Sequence, residues 1–184
     1  SHENLLSVAG ELVLEEDEVF GGFTGLAKFP TVPALTFLSE QARAGNEGAM
    51  KFTSKTLDVY ADSALRDSVD GGFFRYCSKS DFSEPHYERM LYDNAGLLYL
   101  YSRHGDSDRA GQLVEFLSSV LLVRGGLGSS QNSESRVDSL LVEGAYYRSS
   151  LPERAKLPTP SVDQKVLSGW NGLALSALVE AHIA

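Results

Sequence analysis

The 184-residue sequence predicts an all-α chain of stacked helical hairpins, arranged as a solenoid or an α/α toroid with its Gly-rich loops at one end. Three observations lead there. Small-residue breaks recur as GGF from Gly21, GGF from Gly71, GGL from Gly125 and WNGL from Trp170, at intervals of about 45 to 54 residues, within the range of repeated supersecondary units. The first two breaks, and the last, lead into apolar text of helical period, while two-residue alternation is confined to short pieces such as SVLLV. The helix text near residue 98 is apolar on more than one face, as expected of a helix covered on both sides by stacked neighbours.

Taken in order, residues 1–20 form an N-terminal segment. Ser1-His2 reads as a tag remnant, and LLSVAGELVL as a helix. Residues 21–184 form a partial helical array of about three to four hairpins. PALTFLSEQARAG and GAMKFTSKTLDVYADSAL make the first pair. Pro85 suits a first helical position, so the next helix is expected to run from Pro85 to a stop at Gly105, with Arg103 and His104 suiting its negative end. DSDRAGQLVEFLSSVLLVRGG follows it, then a loop-rich interval containing Pro152, Pro158 and Pro160, and last LALSALVEAHIA.

Composition narrows the function. At 42% apolar and 22% charged, the chain can bury a core. A net charge of −9 argues against a nucleic-acid partner or an anionic membrane surface, which need a basic face. No run approaches the roughly 18 apolar residues of a membrane span. A single cysteine, Cys77, excludes an internal disulfide and a C-x-x-C pair, and fits a reducing, cytoplasmic setting. No zinc-type cluster, phosphate loop, G-x-S-x-G elbow or calcium loop is present, so neither metal nor cofactor is expected.

Loops opening successive repeats converge on one mouth, and here they mix aromatic with charged residues, which suits sugars and other polyhydroxylated ligands. The cleft candidates are Lys28, Arg75, Tyr76, His86, Glu88, Trp170 and Asn171. Phe23, Phe29, Phe73, Tyr76 and Tyr147 could equally be core residues plugging the mouth. On a helix from Pro85, His86, Arg89 and Asp93 would share one side. Arg89 would then pair with Asp93 or Glu88, and His86 would act as general base or acid, tuned by Glu88 or Asp93. Asp93 and Asn94 either join the ligand site or tie down neighbouring backbone.

GGFTGLAKFP, DGGFFRYCSKSDFSEPHYERMLYDNA, EGAYY and DQKVLSGWNGLALSAL resemble, in order, the YyaL-like family that includes spermatogenesis-associated protein 20. The resemblance runs from about Gly21 to the C-terminus. It implies an incomplete (α/α)6 toroid like that of N-acylglucosamine 2-epimerases and cellobiose epimerases, with a thioredoxin-like domain elsewhere in full-length relatives. It also implies a sugar-sized cleft and an acid/base pair, with His86 as one member and His182 as a candidate for the other. The family's acidic stretch after the third break stands here as NSES, from Asn132 to Ser135, and the chain reads as a fragment or truncated relative. Two functions follow: a sugar epimerase/isomerase-like or glycoside-processing domain, or a non-catalytic binding or scaffold domain of a thioredoxin-associated protein. An open ring leaves Leu173, Leu175, Leu178 and Val179 and the N-terminal segment as an apolar seam, expected to close as a homodimer.

Overall fold

Glycine and an Asn or Asp mark one end of the molecule. Gly45-Asn46 and Gly105-Asp106 each stop one helix and start the next. Both glycines are left-handed (φ 96° and 75°), and the Asn46 and Asp106 side chains accept the N–H of Ala49 and Arg109 at 3.0 Å. The result, in a computed structural model describing residues 2–184, is an all-α array of helical hairpins. Ser1, half of the expected tag remnant, lies outside the described residues. The helices are α1 (His2–Leu14), α2 (Val32–Arg43), α3 (Glu47–Asp62), α4 (Leu91–Arg103), α5 (Ser107–Ser119), the single turn α6 (Leu151–Arg154) and α7 (Ser168–Ile183). They hold just under half of the chain, less than the sequence suggests, because the connections at the other end are long.

Those long connections all join the C-terminal ends of α1, α3 and α5 to the N-terminal ends of α2, α4 and α7, so the three glycine-pair breaks lie at one end, whereas WNGL is no break, its Trp170–Leu173 falling in the first turns of α7. The inner row α2–α4–α7 is closely packed, with α4 between its neighbours, while α3 and α5 back onto α2 and α4. Leu97, Leu98, Leu100 and Tyr101 of α4 are fully buried. Only Tyr92, Gly96, Tyr99 and Arg103, spaced three to four apart, leave α4 partly open along its free face. At the hairpin-turn end, Arg103 bridges Glu40 of α2 (2.7 Å) and Glu180 of α7 (3.1 Å).

The mouth is knitted by two- to four-residue strands: β1 (Tyr76–Cys77), β2 (Pro85–His86), β3 (Arg89–Met90), β4 (Leu122–Val123), β5 (Gly126–Leu127), β6 (Ser130–Gln131), β7 (Glu134–Val137), β8 (Leu140–Glu143) and β9 (Val162–Asp163). β1 pairs with β2, β4 with β5 and β7 with β8; the largest sheet among the described residues is β3-β6-β9.

The expected helix from Pro85 is corrected here. Pro85 and His86 lie in an antiparallel pair with Tyr76–Cys77, Glu84 is left-handed (φ 57°), and α4 begins only at Leu91. Its start carries no side-chain cap; the Leu91 N–H donates instead to Ser129 O at 3.0 Å, a distant loop carbonyl. His86, Glu88 and Arg89 therefore precede the helix, while Asp93 and Asn94 are buried in its first turn. The expected stop at Gly105 stands.

The first two breaks are copies of one loop, DEVFGGF and DSVDGGF. In each, the Asp N–H donates to the second glycine's carbonyl (2.9 and 2.8 Å), and the first glycine's N–H returns to the Asp carbonyl (2.8 and 2.9 Å). Gly21 and Gly71 sit at φ 79° and 80°, where side chains are disfavoured. Each Asp carboxylate then takes a buried cation, Lys28 on Asp17 at 2.6 Å and Arg154 on Asp67 at 2.8 Å. Arg89, fully buried over the Phe116 ring, also pairs with Asp67, Asp70 and Gln131, not with Asp93 or Glu88 as the helical spacing suggested.

Candidate functional site

Three sequence candidates hold loops. Asn94, in the first turn of α4, accepts the Phe73 N–H (2.7 Å) and donates to the carbonyls of Phe73 (3.0 Å) and Met90 (2.9 Å). Asn171, at the same place on α7, repeats this clip on Leu127, accepting at 2.8 Å and donating at 3.0 Å. Lys28 does the equivalent in the first repeat, donating to Phe23 O (2.8 Å) and Gly21 O (3.1 Å) besides its ion pair with Asp17. Each residue following a glycine pair is thus fixed by one buried or half-buried polar side chain, the polar atoms of Asn94 and Asn171 being taken up by backbone and that of Lys28 by backbone and Asp17.

The other candidates form one chain of contacts across the mouth. Tyr76 stacks on Phe29 (4.9 Å between centroids) and on His86 (5.1 Å). Of the five aromatics weighed as mouth plugs, Phe73 and Tyr147 are core, whereas Phe29 is exposed and Phe23 and Tyr76 half-buried. His86 Nδ1 meets Glu143 Oε1 at 2.8 Å, and its Nε2 lies 3.7 Å from Glu88 Oε2. Glu88 in turn accepts from Arg75 Nη1 at 2.8 Å. Polar contacts thus run from Glu143 on β8 through His86 and Glu88 to Arg75. Beyond Arg75 lie Tyr92, edge-on to Trp170 at 4.9 Å, and Asp93.

Asp93 is 7% exposed, and burial pushes its carboxyl up to about 7, an effect that Arg75 and the Tyr92 hydroxyl offset only in part. Cys77 is buried, and burial pushes its thiol up to about 12, which suits a packing residue. His182, the suggested partner of His86, is exposed in the last turn of α7, the end away from the mouth. No group of three or more metal-ligating side chains occurs among the described residues.

A cavity of about 470 Å³ opens against His86, with Tyr76, Ser78, Glu84, Tyr87, Glu143 and Arg148 in its wall. A second, of about 270 Å³, opens at Glu88, lined by Ser130, Asn132, Ser161 and Asp163. Glu143 was not among the sequence candidates. It lies in EGAYY, 57 residues from His86, and reaches it because the β7–β8 hairpin turns through left-handed Asp138 and Ser139 (φ 46° and 73°). With Glu143 on Nδ1, the Nδ1–H tautomer leaves Nε2 as the acceptor on the Glu88 side of the ring, and a carboxylate on one ring nitrogen is the arrangement that orients an imidazole for proton transfer.

No protein-family model matches the chain. Spermatogenesis-associated protein 20 from Homo sapiens is 34% identical over 182 residues, 90% of this chain and 22% of that protein. Its Mus musculus counterpart is 33% identical over 162 residues, 79% of this chain and 20% of its own length. The chain thus spans about a fifth of the curated relatives it matches. Among solved structures, cellobiose 2-epimerase from Bacillus thermoamylovorans superposes with a TM-score of 0.71 at 13% identity, over 98% of this chain and 49% of that one. Cellobiose 2-epimerase from Spirochaeta thermophila gives 0.58 at 18% identity, over 71% and 40%. The fold is that of an epimerase-type α/α toroid, and over most of its length the chain is homologous to one segment of spermatogenesis-associated protein 20.

Proposed function

We propose that this domain binds a sugar-like, polyhydroxylated ligand at its mouth and acts on it by epimerase-like proton transfer through His86. The observation that carries this reading is the Glu143–His86 contact at 2.8 Å beside a cavity with an aromatic wall. Tyr76, whose faces are taken by Phe29 and His86, would present its ring edge to the sugar, while Arg148 and Glu84 hold hydroxyls. Arg75, Glu88 and Trp170 remain binding candidates along the same contact chain. The likeness to proteins named sugar epimerases supports the ligand class. In the step proposed, His86 Nε2 takes the proton from the carbon beside a sugar carbonyl, breaking the C–H bond to leave an enediolate. A proton is then returned to the opposite face of the same carbon. The returned proton would come from solvent, since Asp93, half-protonated near pH 7, is buried and lines neither cavity.

A binding or scaffold role is favoured by a different observation. Glu88 is already paired with Arg75, and His86 is the one histidine at this end among the described residues. Incubating the protein with a panel of aldoses and disaccharides in D2O separates the two readings by NMR. Proton transfer puts deuterium on the carbon beside the carbonyl, and His86→Asn abolishes it. Binding without deuterium incorporation supports the scaffold reading.

A further inference from the structure

Besides the histidine, the wall of the His86 cavity holds three charged side chains, and two of them are already engaged. Glu143 meets His86 Nδ1 at 2.8 Å, and Glu84 takes the Lys79 ammonium and, at 3.1 Å, the Ser78 hydroxyl. The third, Arg148, is the one lysine or arginine in that wall, and among the described residues no carboxylate lies within ion-pair distance of it. The other cations at the mouth, Lys28 and Arg75, are both paired. With 25 acidic residues in the chain against 16 lysines and arginines, Arg148 is not left single for want of carboxylates. Although exposed, its guanidinium is held in place. The Arg148 N–H donates to Gly144 O at 3.0 Å, and the guanidinium lies over the Tyr87 ring, 5.6 Å from its centroid. Tyr87 in turn is stacked on buried Tyr147 (5.6 Å) and edge-on to buried Phe74 (5.0 Å). Gly144 leaves the space this needs, since a Cβ there would run into both the Tyr87 ring and Arg148 Nη1. A planar guanidinium stacked on an anchored ring has less freedom to lose on binding, and its fork of donors matches a carboxylate.

We propose that the sugar taken by the His86 cavity is an acidic one, a uronate, whose carboxylate is bound by Arg148. The proposal rests on the sugar-site reading above and narrows it: Arg148 meets a carboxylate in place of a hydroxyl. A carboxylate fits better than a phosphate, because a phosphate near its dianion calls for more than one cation and this wall offers one. With a carboxylate bound, each carboxylate and each cation of the wall has a partner.

Calorimetric titration of the 184-residue chain with glucuronate and galacturonate, set against glucose, galactose and acetate, tests this. At least one uronate is expected to bind about tenfold tighter than its neutral counterpart at low salt. That advantage should shrink at high salt, because an exposed ion pair is screened. Arg148→Gln should erase the difference between uronate and neutral sugar with helical circular dichroism unchanged. Arg148→Lys, which keeps the charge and loses the fork, should restore only part of it. Wild-type protein that binds neutral sugars as tightly as uronates would overturn the acidic class and leave the sugar site standing. A uronate preference that survives in folded Arg148→Gln would overturn the assignment to Arg148. Acetate binding as tightly as the uronates would mean an anion site without sugar recognition and refute both readings, as would a folded chain that binds none of these sugars. If Arg148→Gln binds neither kind of sugar, the wild-type salt series decides: an advantage lost at high salt supports the ion pair, and one that salt leaves unchanged refutes it.

Discussion

His86 is held by groups from three directions: the Tyr76 ring beneath it, Glu143 on Nδ1 and Glu88 near Nε2. If Glu143 sets the tautomer, Glu143→Gln should leave the fold intact but release the imidazole into a mixture of tautomers, read from its ring 15N shifts. Asp93 gives a prediction with a definite sign. Its folded pKa of about 7 lies above the ordinary 3.8, so the folded state holds its proton more tightly. That contribution is fully present below about pH 4 and is lost as the pH rises towards 7. Asp93→Asn removes this pH dependence. Urea unfolding should show the variant gaining about 2–4 kcal/mol on wild type between pH 4 and pH 8.

At the scale of elements, the fold rests on polar clips that tie loops to helix starts. Asn94 is fully buried and makes three hydrogen bonds to backbone, so Asn94→Ala should cost about 2–4 kcal/mol, measured by chemical denaturation. The β7–β8 hairpin depends on left-handed Gly144 (φ 72°), where an added Cβ would run into the Tyr87 ring and Arg148. Gly144→Ala should therefore shift the hairpin base and reproduce the tautomer mixture of Glu143→Gln. These elements also divide what the sequence reveals from what it hides. Helical period and Gly-Asn or Gly-Asp stops are local signals, so α2, α3, α5 and the end of α4 were legible. The start of α4 was not, because its first N–H is satisfied by Ser129, 38 residues away in the chain. Pro85 suits a strand edge as well as a helix start. Arg89 was misread for the same reason: its carboxylates lie 22 and 19 residues back, in the DSVDGGF loop, out of reach of any helical spacing rule.

At the scale of the whole molecule, repetition explains both the array and its mouth. The twin Asp-to-Gly-Gly loops and the matching Asn94 and Asn171 clips are one structural unit used again, and their register brings loops at about fifty-residue spacing to one end. The fold class was legible because that spacing is written in glycine; of the cleft candidates, Tyr76, His86 and Glu88 border the cavities, whereas Lys28 and Asn171 hold loops. Glu143 was hidden because a hairpin delivers it from another repeat. The central claim is that this mouth is a sugar site, and Trp170, the single tryptophan, reports on it from beside Tyr92. Titrating the panel of aldoses and disaccharides while following Trp170 fluorescence tests the claim most directly. A saturable change with at least one sugar, lost in Tyr76→Ala without loss of helical signal, is the expected result. A folded protein whose emission no sugar alters, with no sugar binding by calorimetry either, would contradict it.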